Sequence, residues 1–274
     1  MQRQPVMKVL ALDFDGVVCD SVRECFATAL AAYEAMTPDS PLIGRIRSRC
    51  GEGRWHSLDL MGDPVAASFE NMMPLGNRAE DFGISLAASE NFLELMDQSA
   101  YDTFASTVDP SWIDAFHAEF YEQRAAARAF DHHGWLDLHA PYPFFSEILR
   151  RRSVDTTVAL ATAKDRRSAG ILLEHLGLGG IVAPELILDK ETGVTKTAHL
   201  TELSNRLRFD FADITFVDDK VNHLQATAGL GIRPVLAGWG FNTPREHELA
   251  RRLGFAIANI DNAETVLFGG GTID

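Results

Sequence analysis

Apolar and polar positions fall into blocks along this chain, and the period of the blocks changes twice. Residues 6–12 form a compact apolar run that ends at Asp13, Asp15 and Gly16. That is the pattern of a fully buried strand delivering polar groups at its C-terminal end. Behind it Val22, Phe26, Ala29, Leu30 and Tyr33 recur at helical spacing, and Ser21 with Glu24 makes an S-x-x-E capping box predicted to open the helix. The alternation resumes at Thr156. Residues 156–161 read as a strand, Asp165 is placed to cap a helix reaching Leu176, and Gly177 is placed to end it. Further strands are predicted over 185–188, 214–217 and 232–237, with helices over 197–207 and 223–228. Thr243, Pro244 and Glu246 supply a cap, an N1 proline and a capping-box acid for another helix, and 255–260 is a last apolar run. Strands alternating with helices imply an α/β fold, a doubly wound, mostly parallel sheet covered on both faces.

Residues 38–140 break this rhythm with long helical patterns and no buried strand. Asp109 and Pro110 open a helix in which Ile113, Phe116, Phe120 and Tyr121 form one apolar stripe, as in a helix packed inside a bundle. Phe144, Phe145, Ile148 and Leu149 then make an amphipathic helix that returns the chain to the sheet. The organisation expected is a catalytic core from 1–21 and 141–274, interrupted by an all-helical insertion over 22–140.

Composition narrows the partners. Of 274 residues 46% are hydrophobic and 23% charged, the balance of a soluble globular protein. Lys and Arg number 25 against 39 Asp and Glu, and the net charge of -14 opposes non-specific attraction to nucleic acid and to anionic membranes. No apolar segment approaches the roughly 18 residues needed to span a bilayer. Cys19, Cys25 and Cys50 are few, odd in number and without CxxC spacing, so neither a disulfide framework nor a thiolate zinc site is expected. A cytoplasmic location fits these features. No motif specifies the oligomeric state.

The candidate chemistry lies at strand ends. Asp13 and Asp15 put two carboxylates at the end of one buried strand, and Phe216, Val217, Asp218 and Asp219 repeat the arrangement at another. Like charges in a partly dry pocket repel one another and lose solvation, so a bound divalent cation is the natural compensation. Hard oxygen ligands from separate strands of an open parallel sheet suit Mg2+. A third strand ends at Thr162 and Ala163, which offer a hydroxyl and backbone N–H groups to phosphate oxygens, and Lys196 opens a later helix with a point positive charge.

These residues resemble the four ordered motifs of the haloacid dehalogenase superfamily. Asp13-Phe14-Asp15-Gly16-Val17 looks like the first motif, Ala161-Thr162-Ala163 the second, Lys196 the third and Asp218-Asp219 the fourth; Gly238-Trp239-Gly240-Phe241 resembles the loop after the fifth core strand. The resemblance implies that the insertion is a helical cap domain. It implies a Mg2+-dependent phosphatase acting on a small phosphorylated metabolite through an aspartyl phosphate. Asp13 would be the nucleophile and Asp15 the acid/base. Thr162, Ala163 and Lys196 would hold the phosphoryl group, and Asp13, Asp15, Asp218 and Asp219 the metal. In some relatives the second acid of the last motif is the closer ligand, which here gives Asp219 that place, with Asp218 helping directly or through water.

Alternatives within and outside the family are a phosphomutase using the same residues and a non-catalytic binding protein on this fold. Asp15 argues against a dehalogenase, and the absence of any lysine between Lys8 and Lys164 against a phosphonate hydrolase, which needs a cap lysine. Lys190 competes with Lys196 for the third motif but follows a strand directly and reads as a solvated loop charge. His132-His133 reads as a solvated loop, Cys19 as a small apolar residue, and Trp239 as a brace at the core edge. Arg45, Arg47, Arg49 and Arg54 cluster around Gly51-Glu52-Gly53. Either they form a solvated helix face, or the turn presents Arg49 or Arg54 for substrate selection.

Overall fold

The computed structural model describes residues 8–76 and 78–269. The chain divides into two compact units, one from the residues up to Asp20 together with those from Ala140 onward, the other Ser21–His139. Strands of the first unit are β1 (Lys8–Leu12), β2 (Cys19–Asp20), β3 (Ala140–Pro141), β4 (Thr156–Ala161), β5 (Val182–Leu188), β6 (Ile214–Asp218), β7 (Arg233–Ala237) and β8 (Ala256–Ala258). Six of them form one parallel sheet in the order β5-β4-β1-β6-β7-β8, while β2 and β3 pair antiparallel. Val9 to Leu12 are all buried, because β1 lies in the interior of a sheet with helices in every crossover. Val6 and Met7, the predicted start of this strand, lie outside the described residues.

The winding direction sets the site. From β1 the chain builds β4 and β5 on one side, then crosses to β6, β7 and β8 on the other, so the strand order reverses at β1. In such a sheet ligands collect beyond the carboxyl ends of the strands at that reversal. The register brings Leu12 level with Leu160 of β4 and with Val217 of β6, which places Asp13, the β4 end and Asp218 at one edge. Helices close each crossover, two of them with the predicted caps at Asp165 and Thr243 and one with a cap at Thr195 that the sequence reading did not name. Asp165 accepts from Ser168 N–H, Thr195 from Ala198 N–H, and Thr243 with Glu246 forms a complete capping box. Gly177 ends its helix at φ +68°. β5 begins at Val182, three residues before the predicted strand. Pro184 masks its first half in the sequence, and the β4–β5 register shifts there; proline is tolerated because β5 is an edge strand.

The second unit is helical throughout: Val22–Met36, Pro41–Cys50, Pro64–Met72, Ala79–Glu90, Gln98–Ala105, Pro110–Phe130 and His132–Leu136, with a short turn of 3-10 helix at Trp55–Ser57. Its core is a chain of aromatic contacts from Phe26 through Phe69 and Phe82 to Phe120, with ring centroids 5.0, 5.2 and 5.5 Å apart. Phe116 and Phe120 are the fully buried members of the predicted stripe, with Ile113 and Tyr121 half-buried.

Two local expectations fail here. Ser21 makes no side-chain cap bond, and Glu24 does not reach back to it. The Glu24 side chain is wholly buried and accepts two hydrogen bonds of 2.7 Å from Arg124, together with bonds from Thr28 and Trp135 Nε1. An acid three residues after a serine is a capping signal only if it stays near the surface, and a buried arginine outcompetes one backbone N–H. His132-His133, expected in a loop, opens the short helix His132–Leu136 instead, because Asp131 accepts from Gly134 N–H and caps it. Both histidines are exposed. Among the described residues no helix is long and apolar enough to cross a membrane.

Candidate active site

Asp13 leaves β1 with its N–H bonded to Val217 O at 2.9 Å, so its position is fixed by the neighbouring strand. Its Oδ1 accepts from Phe14 N–H at 2.7 Å and lies 2.8 Å from Lys196 Nζ, and Oδ2 carries no hydrogen bond among the described residues. Burial pushes this carboxyl up to about 6, against the pull of the Lys196 ammonium. Lys196, the first residue of its helix, also donates to Ala161 O at 2.6 Å and stands 3.4 Å from Asp218 Oδ2. Its own pKa is raised: burial works to lower it, and the two aspartates more than offset that. Lys196 thus ties the ends of three strands together. Lys190, its competitor in the sequence, is exposed in the turn after β5.

Asp218 is fully buried, yet burial is overcome by His223 and Lys196, and the carboxyl is held down at about 2. Oδ1 accepts from Lys220 N–H, and His223 Nδ1 stands 3.2 and 3.1 Å from the two carboxylate oxygens. Asp219 behaves oppositely: burial, then the adjacent Asp218 charge, raises it well above the ordinary carboxylate range. Its Oδ2 accepts from Phe241 N–H at 2.9 Å, while Oδ1 is buried without a hydrogen bond. Gly16, at φ +83°, packs directly on this carboxylate; a Cβ there would come within 2.7 Å of Asp219 Cγ and 2.9 Å of Phe241 Cδ2. Gly240 packs against Gly16 O in the same way.

Asp15 is less enclosed, with a side chain 27% exposed. Its Oδ1 lies 3.4 Å from Lys164 Nζ. Thr162 is buried at the end of β4; its N–H donates to Leu188 O, and its Oγ1 accepts from Lys164 N–H at 3.1 Å. Ala163 follows it in the turn before Asp165. Trp239 braces the core edge as expected: Nε1 donates to Val17 O at 3.1 Å and the indole packs on Phe144 and Phe145. Cys19 is buried within β2.

The donor chemistry fits a divalent cation. Asp13, Asp218 and His223 each present one ligand atom, all within 4.8 Å of one another. Two of the three are buried carboxylates, and Asp219 Oδ1 beside them is an orphaned buried acceptor. Asp219 is not in the closest donor group, which runs through Asp218.

The sequence profile of haloacid dehalogenase-like hydrolases matches residues 7–231. The chain belongs to that family. It is therefore a hydrolase, and the haloacid dehalogenase-like core accounts for the strand reversal and the residues gathered at it. Among solved structures it is similar to a putative phosphoglycolate phosphatase from Lactobacillus delbrueckii subsp. bulgaricus (TM-score 0.67, 14% identity, 96% of this chain and 98% of that one). It is also similar to a haloacid dehalogenase-like family protein from Streptococcus pneumoniae (TM-score 0.65, 13% identity, 95% and 98%). A family hydrolase from Deinococcus radiodurans, solved with bound phosphate and sodium, aligns with TM-score 0.52 and 17% identity over 95% of each chain. Nothing among curated proteins matches the chain.

Two residues of this haloacid dehalogenase-like site escaped the sequence reading. Lys164 is buried beside Asp15, and the signal was available, since it is the first lysine after Lys8 and directly follows the Thr162-Ala163 turn. His223 was read only as the start of a helix, although it lies one turn beyond the acidic pair. In the helical unit the four arginines have separate fates. Arg45 donates to the Ser89 and Glu90 carbonyls, Arg47 pairs with Glu34 and stacks on Trp55, and Arg49 forms a bidentate pair with Asp63 at 2.6 and 2.9 Å. Arg54 has no carboxylate partner among the described residues. Its guanidinium lies 3.6 Å from the Phe130 ring centroid and lines a cavity of about 320 Å³ with Trp55, His56 and Trp135.

Proposed function

We propose that the chain is a phosphatase that cleaves a small phosphorylated metabolite through an aspartyl phosphate on Asp13. The observation that carries this reading is the Asp13 carboxylate with one oxygen held by Phe14 N–H and Lys196 and the other free of hydrogen bonds. A carboxylate fixed at one oxygen presents the other as a nucleophile. Attack forms the Asp13 Oδ–P bond as the P–O bond to the leaving group breaks. Asp15, partly exposed and two residues away, gives its proton to the departing oxygen and then takes one from the water that hydrolyses the acyl phosphate, returning Asp13 and releasing phosphate. Lys164 beside Asp15 holds that carboxyl in place. Thr162 Oγ1 and Ala163 N–H bind the equatorial oxygens, and Lys196 offsets charge on the transferring group. Asp13 and Asp218, with Asp219 adjacent, would hold a divalent cation such as Mg2+, which when bound supplies positive charge to the phosphoryl oxygens.

For substrate selection we assign Arg54 rather than Arg49. Arg49 is consumed by Asp63, whereas Arg54 pairs with no carboxylate among the described residues and lines a cavity of the helical unit whose wall also carries Glu34 and Asp131. Radiolabelled aryl phosphate, rapid acid quench and hydroxylamine treatment test the chemistry. Wild-type protein should carry a hydroxylamine-labile phosphoryl label, and Asp13→Asn should carry none and turn over more than about a hundredfold more slowly. Turnover without label, or a well-folded Asp13→Asn protein that retains activity, removes Asp13 as nucleophile.

A further inference from the structure

His223 has no role in the reading above beyond standing near Asp218, and its placement is specific. The turn from β6 into the helix Val221–Ala228 is held by Lys220 N–H on Asp218 Oδ1, which folds the first helical turn back over the Asp218 carboxylate. His223 Nδ1 consequently sits 3.1 to 3.2 Å from both carboxylate oxygens. In the absence of a cation that is a hydrogen bond. It is also the spacing of two neighbouring ligands, since donors about 2.1 Å from a cation lie about 3.0 Å apart along an octahedral edge. The third donor, from Asp13, is within 4.8 Å of the other two, close to the roughly 4.2 Å that separates opposite ligands of an octahedron, so a small inward shift of its carboxylate completes the set. One imidazole and two carboxylates therefore converge on one point from β1, β6 and the helix that follows β6.

From this we infer that His223 is itself a ligand of the cation site, through Nδ1, with the ring proton on Nε2. The inference rests on the phosphatase reading only in that both need the site to bind a divalent cation. A nitrogen donor changes the preference of the site. Carboxylate and water ligands suit Mg2+, whereas imidazole adds relatively more to the binding of first-row transition ions, in the order that rises from Mn2+ to Co2+. The site should accordingly discriminate less in favour of Mg2+ than an all-oxygen site, and Co2+ should compete effectively.

The test uses the full chain, freed of metal and reloaded. With Mn2+ as probe, pulsed electron paramagnetic resonance should show coupling to a directly bound 14N nucleus in the wild-type protein. In His223→Asp, which substitutes oxygen for nitrogen, the coupling should vanish. Competition of Co2+ against Mg2+ should shift toward Mg2+ by roughly tenfold or more in that variant. Bound Mn2+ without 14N coupling in wild type overturns the inference and leaves the phosphatase reading standing, and this measurement needs no variant to fold. Coupling that persists in a folded His223→Asp protein, or an unchanged Co2+/Mg2+ ratio, overturns it equally. A wild-type protein that binds no divalent cation overturns both.

Discussion

Asp13 and Asp15 are two residues apart and chemically unlike, and the difference follows from where β1 ends. Asp13 is still bonded to β6 through its backbone and has lost nearly all its solvent, while Asp15 is past the turn and keeps a side chain 27% exposed. The proposed nucleophile is thus held in place by the sheet, and the proposed acid/base has access to water, as its second role requires. Replacing Asp15 by Ala should cost more on an alkyl phosphate, whose alcohol leaves poorly without a proton, than on an aryl phosphate. A steady-state comparison of the two substrates checks this, and equal losses would remove Asp15 as the general acid. At this scale the sequence was informative wherever a strand delivered the residue. Asp13, Thr162 and Asp218 could be placed because a buried apolar run points at each. Asp15, too, was legible as the partner two residues from Asp13. Lys164 and His223 were not, because a lysine after a turn and a histidine in a helix are common, and only the fold brings them beside Asp15 and Asp218.

Element by element, the sheet was readable because interior parallel strands are near-continuous apolar runs, and the core helices because their caps are local. The S-x-x-E motif at Ser21 misled because the partner that decides the fate of Glu24 is Arg124, on another helix of the same unit. That pair makes its own prediction. Glu24→Gln leaves a buried guanidinium without its counter-charge and should destabilise the protein by about 3–5 kcal/mol, whereas Glu24→Gln with Arg124→Met should cost markedly less. Denaturant titration of the three proteins decides it; equal losses in single and double variants would show that the ion pair is not the cause. The arginine cluster separates in the same way. Asp63 is buried and caps the helix Pro64–Met72 through Val65 N–H, and Arg49 is its counter-charge. Burial pushes the Asp63 carboxyl up, but Arg49 and Val65 N–H more than offset it, holding it below its ordinary 3.8. A carboxyl with a lowered folded pKa contributes stability that is complete above that ordinary value and is lost as the pH falls below it. Arg49→Met should therefore destabilise the protein at neutral pH by about 1 kcal/mol or less, because the Arg49 side chain is 41% exposed and its charge is screened, and shrink the loss on acidification below about 4. Arg54→Ala should leave stability unchanged and lower kcat/KM on the best metabolite, sparing a small aryl phosphate. Thermal melts at pH 7 and pH 3, with kinetics on both substrates, separate the two residues.

Over the whole molecule the dominant electrostatic fact is the net charge of -14, and the proposed cation site lies in that field. Within the site the charges are mixed, since the carboxylates of Asp13, Asp15, Asp218 and Asp219 stand near Lys164, Lys196 and Lys220. Local contacts between buried groups are little screened by salt, because the ions cannot enter. The long-range attraction of an acidic molecule for a divalent cation is screened, with a Debye length that falls from about 30 Å at 0.01 M to about 10 Å at 0.1 M. Salt therefore separates the two contributions. Divalent-cation affinity should weaken several-fold over that tenfold rise in ionic strength, and the weakening should be similar in wild type and in His223→Asp, which changes a donor and not the distant charges. Titration of Mn2+ at the two ionic strengths, read by the loss of its free-ion resonance signal, measures both. If affinity is flat across the range, the global field contributes nothing and binding is set wholly by the buried donors. If the slopes differ by more than the one added carboxylate charge accounts for, the substitution has perturbed the site beyond exchanging one ligand for another.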